Sequence, residues 1–251
     1  MSIRVKNIHK TFGDNYVLKG ISMDFEDGEV NMIIGASGSG KSVFIKCILG
    51  LIKPDKGEVY IGDKDVIKST RKQLRNLRKE IGVLFQSAAL FDSMTVYENV
   101  SFPIRMFTNR KTEDIKKRVA ECLEHVELSG REDLLPAELS GGMRKRVGLA
   151  RAIALSPKYL VCDEPNSGLD PKTAETIDEL ITDLTHRLNM TTIVITHDMR
   201  SVLNYADHVL FIYKGRKEWE GTREEINQTE NEPLLDFIRT SGLRLERFTE
   251  S

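Results

Sequence analysis

The eight residues Gly35-Ala36-Ser37-Gly38-Ser39-Gly40-Lys41-Ser42 constrain this chain more than any other feature. They fit the pattern G-x-x-x-x-G-K-[ST], which average residue usage produces by chance in roughly one chain in a hundred of this length. Context therefore decides the reading. An unbroken apolar run, Val30 to Ile34, leads in, and Val43-Phe44-Ile45-Lys46-Cys47-Ile48-Leu49 leads out with helical apolar density. Strand, glycine-rich turn and helix are the order that a phosphate cradle needs. Gly38 and Gly40 let backbone amides turn toward an anion with no Cβ in the way, and the positive helix end adds to the attraction. In such a cradle Lys41 reaches the β- and γ-phosphates of a nucleotide, and the Ser42 hydroxyl ligates Mg²⁺. The loop predicts a chain that binds MgATP and hydrolyses it.

The rest of the chain supplies a matching frame. Runs at Ile81 to Phe85, Tyr159 to Cys162, Thr192 to Thr196 and Val209 to Tyr213 resemble the one before the loop. Apolar runs of this length suit strands covered on both faces, as in a mostly parallel α/β sheet. The first sixty or so residues instead alternate, with Ile3 and Val5, then Ile21, Met23 and Phe25, then Val59 and Ile61, as half-buried strands joined by turns do. Helical stretches lie between the runs, at Val43 to Leu51 and Ala174 to Leu188. From about Ser87 to Pro157 no strand pattern is visible, and Ile115, Val119, Cys122, Leu123 and Val126 form a helical stripe. This predicts a helical lobe inserted between two core strands. A short amphipathic helix is expected at Pro233-Leu234-Leu235-Asp236-Phe237-Ile238.

Charge and cysteine usage narrow the class. Lys and Arg number 37 against 38 Asp and Glu, without the basic excess of a chain that holds nucleic acid through its phosphates. The densest basic stretch, Lys68 to Lys79, has Leu74 and Leu77 at helical spacing and reads as a solvated helix face. Cys47, Cys122 and Cys162 are odd in number and sit in apolar neighbourhoods, which predicts buried free thiols. No signal segment is recognisable, and no apolar run approaches the ~18 residues of a membrane span. The chain is expected in the cytoplasm unless a partner brings it to a surface.

A phosphate loop needs a second acid for magnesium. Tyr159-Leu160-Val161-Cys162-Asp163-Glu164 offers one, an apolar strand ending in a carboxylate where open α/β sheets bind ligands. Asp163 is the candidate metal ligand, and Glu164 the candidate base for an attacking water. Upstream, Leu139-Ser140-Gly141-Gly142-Met143-Arg144-Lys145-Arg146 resembles the signature of the ATP-binding-cassette (ABC) ATPases. Ser140 also reads as a helix N-cap before Val147, Ala150 and Ile153, and the two readings are compatible.

That resemblance covers roughly residues 2 to 238 and implies a P-loop NTPase fold: a mostly parallel core sheet, an N-terminal antiparallel β subdomain and an inserted helical subdomain at about 87–157. Residues 239–251 would then be a C-terminal extension. In the family, Ser140, Gly141 and Gly142 meet the γ-phosphate of ATP held by a second copy, in a head-to-tail dimer. Gln86 falls where the family's glutamine loop links metal and partner, which gives Ser42, Gln86 and Asp163 as the magnesium set. Ser167-Gly168-Leu169-Asp170 resembles the loop that crosses the dimer interface. His197, after Thr192 to Thr196, matches the switch histidine at the γ-phosphate. Phe12, before Gly13, resembles the aromatic that stacks on adenine, with a core role as its rival. Two departures stand out. Val43 replaces a common threonine and removes a hydroxyl from the α-phosphate, although its amide remains. Met143 replaces the usual glutamine, leaving the lid contact to Ser140 and backbone amides.

Partners follow from the resemblance as well. A single cassette without a long coiled-coil insertion is expected to drive a separate membrane permease. Phe85 to Val100, with Phe102-Pro103 and the Ser-Gly-Gly-Met signature, is similar to the ATPases of Mla-type phospholipid transporters, which implies an MCE-type lipid-binding protein and the inner membrane. Leu90, Phe91, Met94 and Val96 would offer an apolar patch to a permease helix, or else form the core of the lobe. Iron–sulfur cluster assembly on a soluble scaffold and transport of an amino acid or lipoprotein are the alternatives.

Overall fold

A computed structural model describes residues 3–242. Its strands and helices, in chain order, begin with β1 (Ile3–Phe12), β2 (Asn15–Phe25), β3 (Val30–Ile34), α1 (Lys41–Ile48), β4 (Lys56–Ile61), β5 (Lys64–Asp65) and α2 (Arg71–Leu77). They continue with β6 (Ile81–Leu84), α3 (Val96–Phe107), α4 (Thr112–His125), α5 (Gly141–Ile153), β7 (Tyr159–Asp163), α6 (Pro171–Arg187) and β8 (Thr191–Ile195). The last are α7 (Met199–Tyr205), β9 (His208–Tyr213), β10 (Arg216–Thr222), α8 (Arg223–Ile226) and α9 (Glu232–Thr240). They divide into two compact units, one made of residues up to 74 and from 193 onward, the other of residues 75–192. No described helix is long and apolar enough to cross a membrane.

The first unit opens with an antiparallel sheet in the order β2-β1-β4-β5. Ile3 pairs with Phe25 on one side and Ile61 on the other, and all three are buried while Arg4 and Lys6 between the apolar positions are exposed. This is the alternation that the sequence predicts for a sheet with one covered face. By contrast, β3 is buried at all five positions. It pairs in parallel with β9, Ile33 opposite Leu210, and β9 pairs with β10 antiparallel. Phe44, Ile45, Cys47 and Ile48 of α1 are buried, and α9 buries Leu234, Leu235 and Ile238 and sets Phe237 against Phe211, ring centroids 5.4 Å apart. The amphipathic helix expected at 233–238 is therefore present. Of the C-terminal extension, residues 243–251 lie outside the described residues.

In the second unit β6 and β7 pair in parallel, Ile81 opposite Tyr159 through Leu84 opposite Cys162. Between them the described chain contains helices and no strand, and α4 buries Ile115, Val119, Cys122 and Leu123, the stripe read from the sequence. Helix α3 starts at a reciprocal cap: Glu98 N donates to Thr95 Oγ1 at 3.2 Å and Thr95 N to Glu98 Oε2 at 2.9 Å. One turn in, the fully buried Asn99 fixes the preceding loop. Its amide accepts from Phe91 N at 2.9 Å and donates to the carbonyls of Phe91, Met94 and Thr95 at 3.2, 3.0 and 3.0 Å. Arg118 of α4 donates to the carbonyls of Ile153 (2.8 Å) and Ala154 (3.2 Å), placing a cation at the negative end of α5. All three cysteines are free and buried, and burial raises the Cys47 and Cys122 thiols to about 11. The basic segment at 68–79 is a solvated helix face: Arg71, Lys72, Arg75 and Arg78 are exposed and only Leu77 is buried.

Candidate nucleotide site

In the first unit the glycine-rich loop leaves the C-terminal end of β3 and returns as α1. Its geometry depends on two glycines. A Cβ on Gly35 (φ +147) would lie 2.3 Å from the carbonyl oxygen of Ile212, and one on Gly40 (φ +108) would lie 2.9 Å from Leu18 Cδ2. Gly40 is also the N-cap of α1 and has no side chain to cap with, so the helix end is left to whatever anion the loop encloses. Lys41 is buried, and its ammonium donates to the carbonyls of Gly35 at 2.6 Å and Ala36 at 3.1 Å. The cation is thus already held inside the loop. Ser39 Oγ is buried with no hydrogen-bond partner among the described residues. Ala36, Ser37, Gly38 and Ser42 are exposed, and Val43 is half-buried. A curled backbone, an uncapped helix end, an enclosed ammonium and exposed hydroxyls fit a nucleotide polyphosphate with its magnesium ion.

Two further predicted residues lie in the same unit. Thr196 N donates to Ile33 O at 3.2 Å, so the chain leaves β8 beside β3, and the exposed His197 follows at that end. Phe12, at the tip of the β1–β2 hairpin, is 45% exposed with Lys10 Nζ 5.3 Å from its ring centroid. Exposure of that size removes the rival core role and leaves a ring face for stacking.

The second unit holds Gln86, Ser140, Gly141, Gly142, Asp163, Glu164 and Asp170. Asp163 ends β7 half-buried, and Glu164 follows with φ +49, a left-handed conformation that costs a non-glycine residue about 1–2 kcal/mol. Gln86 Nε2 donates to Ser167 Oγ at 2.8 Å, which joins the glutamine loop to the segment after Glu164. Ser140 caps α5, accepting from Met143 N at 3.2 Å, as the sequence predicts. A Cβ on Gly142 would lie 2.6 Å from Thr173 Cγ2, so a glycine there keeps α5 close to α6. Asp170, the last residue of the predicted interface loop, opens α6. Its carboxylate caps α6, accepting from Thr173 N at 3.1 Å and from the Thr173 hydroxyl, and these bonds hold it below the usual carboxylate range.

Sequence reading missed two basic side chains of α5. Lys145 is 5% exposed, and its ammonium donates to the carbonyls of Gln86 and Glu164; burial lowers its pKa. Arg151 donates to the carbonyls of Ala88 at 2.6 Å and Ala89 at 2.8 Å. Ala88 and Ala89 both have positive φ, +58 and +46. Nothing in a run of helix-forming residues marks two of them as anchors for a distant loop.

The predicted apolar patch is upheld in part: Phe91 is exposed, and Leu90 and Met94 are half-buried. Val96 is 1% exposed, the first residue of α3 and part of the lobe's core, so it offers nothing to a partner. An open groove of about 390 Å³ lies among Ile81, Val83, Phe85, Phe91, Phe102 and Phe107, with Arg78 and Arg151 also lining it. Phe85, Phe91 and Phe107 are 47%, 41% and 38% exposed, three large apolar side chains opening on one groove.

Comparison with known proteins bears on both units. The sequence profile of the family described as "ABC transporter" matches residues 18–167. The probable ribonucleotide transport ATP-binding protein mkl of Mycobacterium leprae is 39% identical over 94% of this chain and 67% of its own length. For the Mycobacterium bovis counterpart the share of its length is 65%, so the chain spans about two thirds of these relatives. The methionine import ATP-binding protein MetN of Clostridioides difficile is 40% identical over 98% of this chain and 77% of its own. The intermembrane phospholipid transport system ATP-binding protein MlaF of Haemophilus influenzae is 38% identical over 94% of this chain and 90% of its own. Among solved structures, cbiO1 from Clostridium perfringens, part of the ABC transporter complex cbiONQ, superposes with a TM-score of 0.85 at 33% identity, covering 98% of this chain and 96% of that one. The dimeric ATP-binding cassette MJ0796 bound to ADP and Pi gives 0.79 at 33% identity, covering 88% and 98%.

Proposed function

Since the chain belongs to the ABC transporter family, as an ATP-binding subunit and an ATPase that takes ATP with Mg²⁺, we propose that its hydrolysis energises phospholipid transport between envelope membranes. In this reading two copies close head to tail on MgATP and act on a separate permease, with an MCE-type lipid-binding protein as the third partner. The ATPase works at the cytoplasmic face of the inner membrane.

Each residue has a role in that reading. Phe12 stacks on the adenine. Backbone amides of residues 35–43 and the Lys41 ammonium hold the phosphates. Ser42, Gln86 and Asp163 hold the magnesium ion, which when bound offsets the charge of the phosphate oxygens. Glu164 accepts a proton from the attacking water, and His197 contacts the γ-phosphate. Ser140, Gly141 and Gly142 of the second copy close the site, and the Ser167–Asp170 loop crosses between the copies through its backbone, since the Asp170 carboxylate is engaged in its cap.

The aromatic groove carries the transport half of the reading. Apolar rings beside two arginines suit an amphipathic permease helix with an acidic residue. What supports phospholipid as cargo is the sequence of residues 85–103 with Met143, similar to Mla-type ATPases, and the MlaF relative, which aligns over most of both chains. Methionine import or ribonucleotide transport is the second reading, favoured by the slightly higher identity of the MetN and mkl relatives. The relatives reported above are named for transport or import, which favours transport over iron–sulfur assembly.

Purification of the full chain from its own membranes tests the proposal. Recovery of a multi-span permease with an MCE-type protein, and ATPase activity of that complex raised by phospholipid but not by methionine, is the expected result. Stimulation by methionine, or recovery with a soluble scaffold, overturns the phospholipid reading.

A further inference from the structure

Helix α5 presents Ser140 at its start, and Lys145 lies one and a half turns further on. The Lys145 ammonium donates to Gln86 O and, at 3.4 Å, to Glu164 O. Glu164 O also accepts from Ser167 N at 3.2 Å, and the Ser167 hydroxyl accepts from Gln86 Nε2 at 2.8 Å. The four residues close a ring: Lys145 to Gln86, Gln86 to Ser167, Ser167 to Glu164, Glu164 back to Lys145. At Gly148 the helix lies so close to the glutamine loop that a Cβ would come within 2.8 Å of Leu84 Cδ1 and 3.2 Å of Ala88 Cβ. Further along, Arg151 holds the carbonyls of Ala88 and Ala89. One helix face therefore fixes the backbone at Gln86 and in the residues just after it, together with the carbonyl of Glu164.

We propose that Lys145 is a positioning residue for hydrolysis, holding Gln86 and Glu164 in fixed relation to the helix whose first turn is offered to the second copy. Engagement of Ser140 with the partner's nucleotide is then felt by the chain's own Gln86 and Glu164, and the two sites of a dimer are coupled through each α5. Lys145 itself touches neither nucleotide nor water in this scheme; it acts through two carbonyls.

A buried ammonium kept only for stability and one kept for positioning give different results on replacement. Replacing the ammonium with an apolar side chain of similar length removes the cost of burying a charge but leaves the Gln86 carbonyl without its donor, opposing effects of comparable size that largely offset in the fold. Lys145→Met is expected to melt within a few degrees of the parent and to keep ATP affinity within about threefold, while kcat falls at least about tenfold. Lys145→Arg, which keeps a long cation, recovers part of kcat. The loss should be sub-additive with that of Gln86→Ala, because both break the same ring. A kcat for Lys145→Met within about threefold of the parent, an equal loss of ATP affinity, or a loss that multiplies independently with Gln86→Ala overturns the inference. Should Lys145→Met fail to fold, Lys145→Gln is judged by the same criteria. The inference rests on the proposed roles of Glu164 and Ser140, and Glu164→Gln separates the two failures. Turnover by Glu164→Gln removes the site reading and the inference together; a silent Glu164→Gln beside an unaffected Lys145→Met removes the inference alone.

Discussion

Gly35→Ala probes the packing on which the phosphate loop depends. The added methyl would lie 2.3 Å from Ile212 O and 2.8 Å from Ser39 Oγ, both far inside van der Waals contact. Ile212 belongs to β9, a strand paired on both sides, so its carbonyl cannot swing away as a side chain would. Overpacking of this kind costs about 1–3 kcal/mol. The positive φ of +147 adds backbone strain of the order of 1–3 kcal/mol. Together they give about 2–6 kcal/mol, and at about 2–4 °C per kcal/mol for a chain of this size the midpoint should fall by at least about 4 °C. Gly38→Ala is the internal control: its φ is +78, but none of the described residues comes within 4 Å of the new methyl. It bears the backbone term alone and should fall less. Scanning calorimetry of the three proteins without nucleotide, at matched concentration, reads the difference. A Gly35→Ala midpoint within 2 °C of the parent, or equal to that of Gly38→Ala, would refute the close approach of the loop to β9.

Two further substitutions test each unit separately. Lys41→Ala removes the only lysine or arginine of the eight-residue loop, the one that donates to Gly35 O and Ala36 O, and should weaken ATP binding by at least about 10-fold, the lower end of a charge-assisted contact; unchanged affinity in titration calorimetry contradicts the phosphate-loop assignment. Asn99→Ala strips four hydrogen bonds from the loop before α3 and should cost about 2–4 kcal/mol, with faster amide exchange concentrated at residues 91–95, whereas a uniform change across the unit would deny Asn99 its local role.

Features set by short-range sequence were legible. The β3–loop–α1 passage depends on consecutive residues, and the stripe from Ile115 to Val126 turns up buried because a helix period of 3.6 leaves it one face to cover. Cap chemistry at Ser140 is local in the same sense. Val96 misled because it follows Met94 in an apolar stretch, but the Thr95 cap starts a helix there and turns Val96 into the core. The groove was legible only in part. Phe85 and Phe91 come from the loop after β6, while Phe102 and Phe107 come from α3, and only tertiary packing gathers them. The ring around Lys145 left no trace, since a lysine in a basic helical segment normally faces water. Left-handed Ala88, Ala89 and Glu164 carry no glycine to announce them; the donors of α5 and the Ser167 amide hold their carbonyls instead.

Dimer closure on MgATP is the central claim, and sedimentation of Glu164→Gln tests it most directly. With the base removed and Lys41, Ser42 and Ser140 intact, the variant should bind MgATP, stop at the closed state and sediment as a dimer. It should return to monomer when ADP replaces ATP. A monomer in saturating MgATP, or a variant that still turns ATP over at the parent's rate, would contradict it.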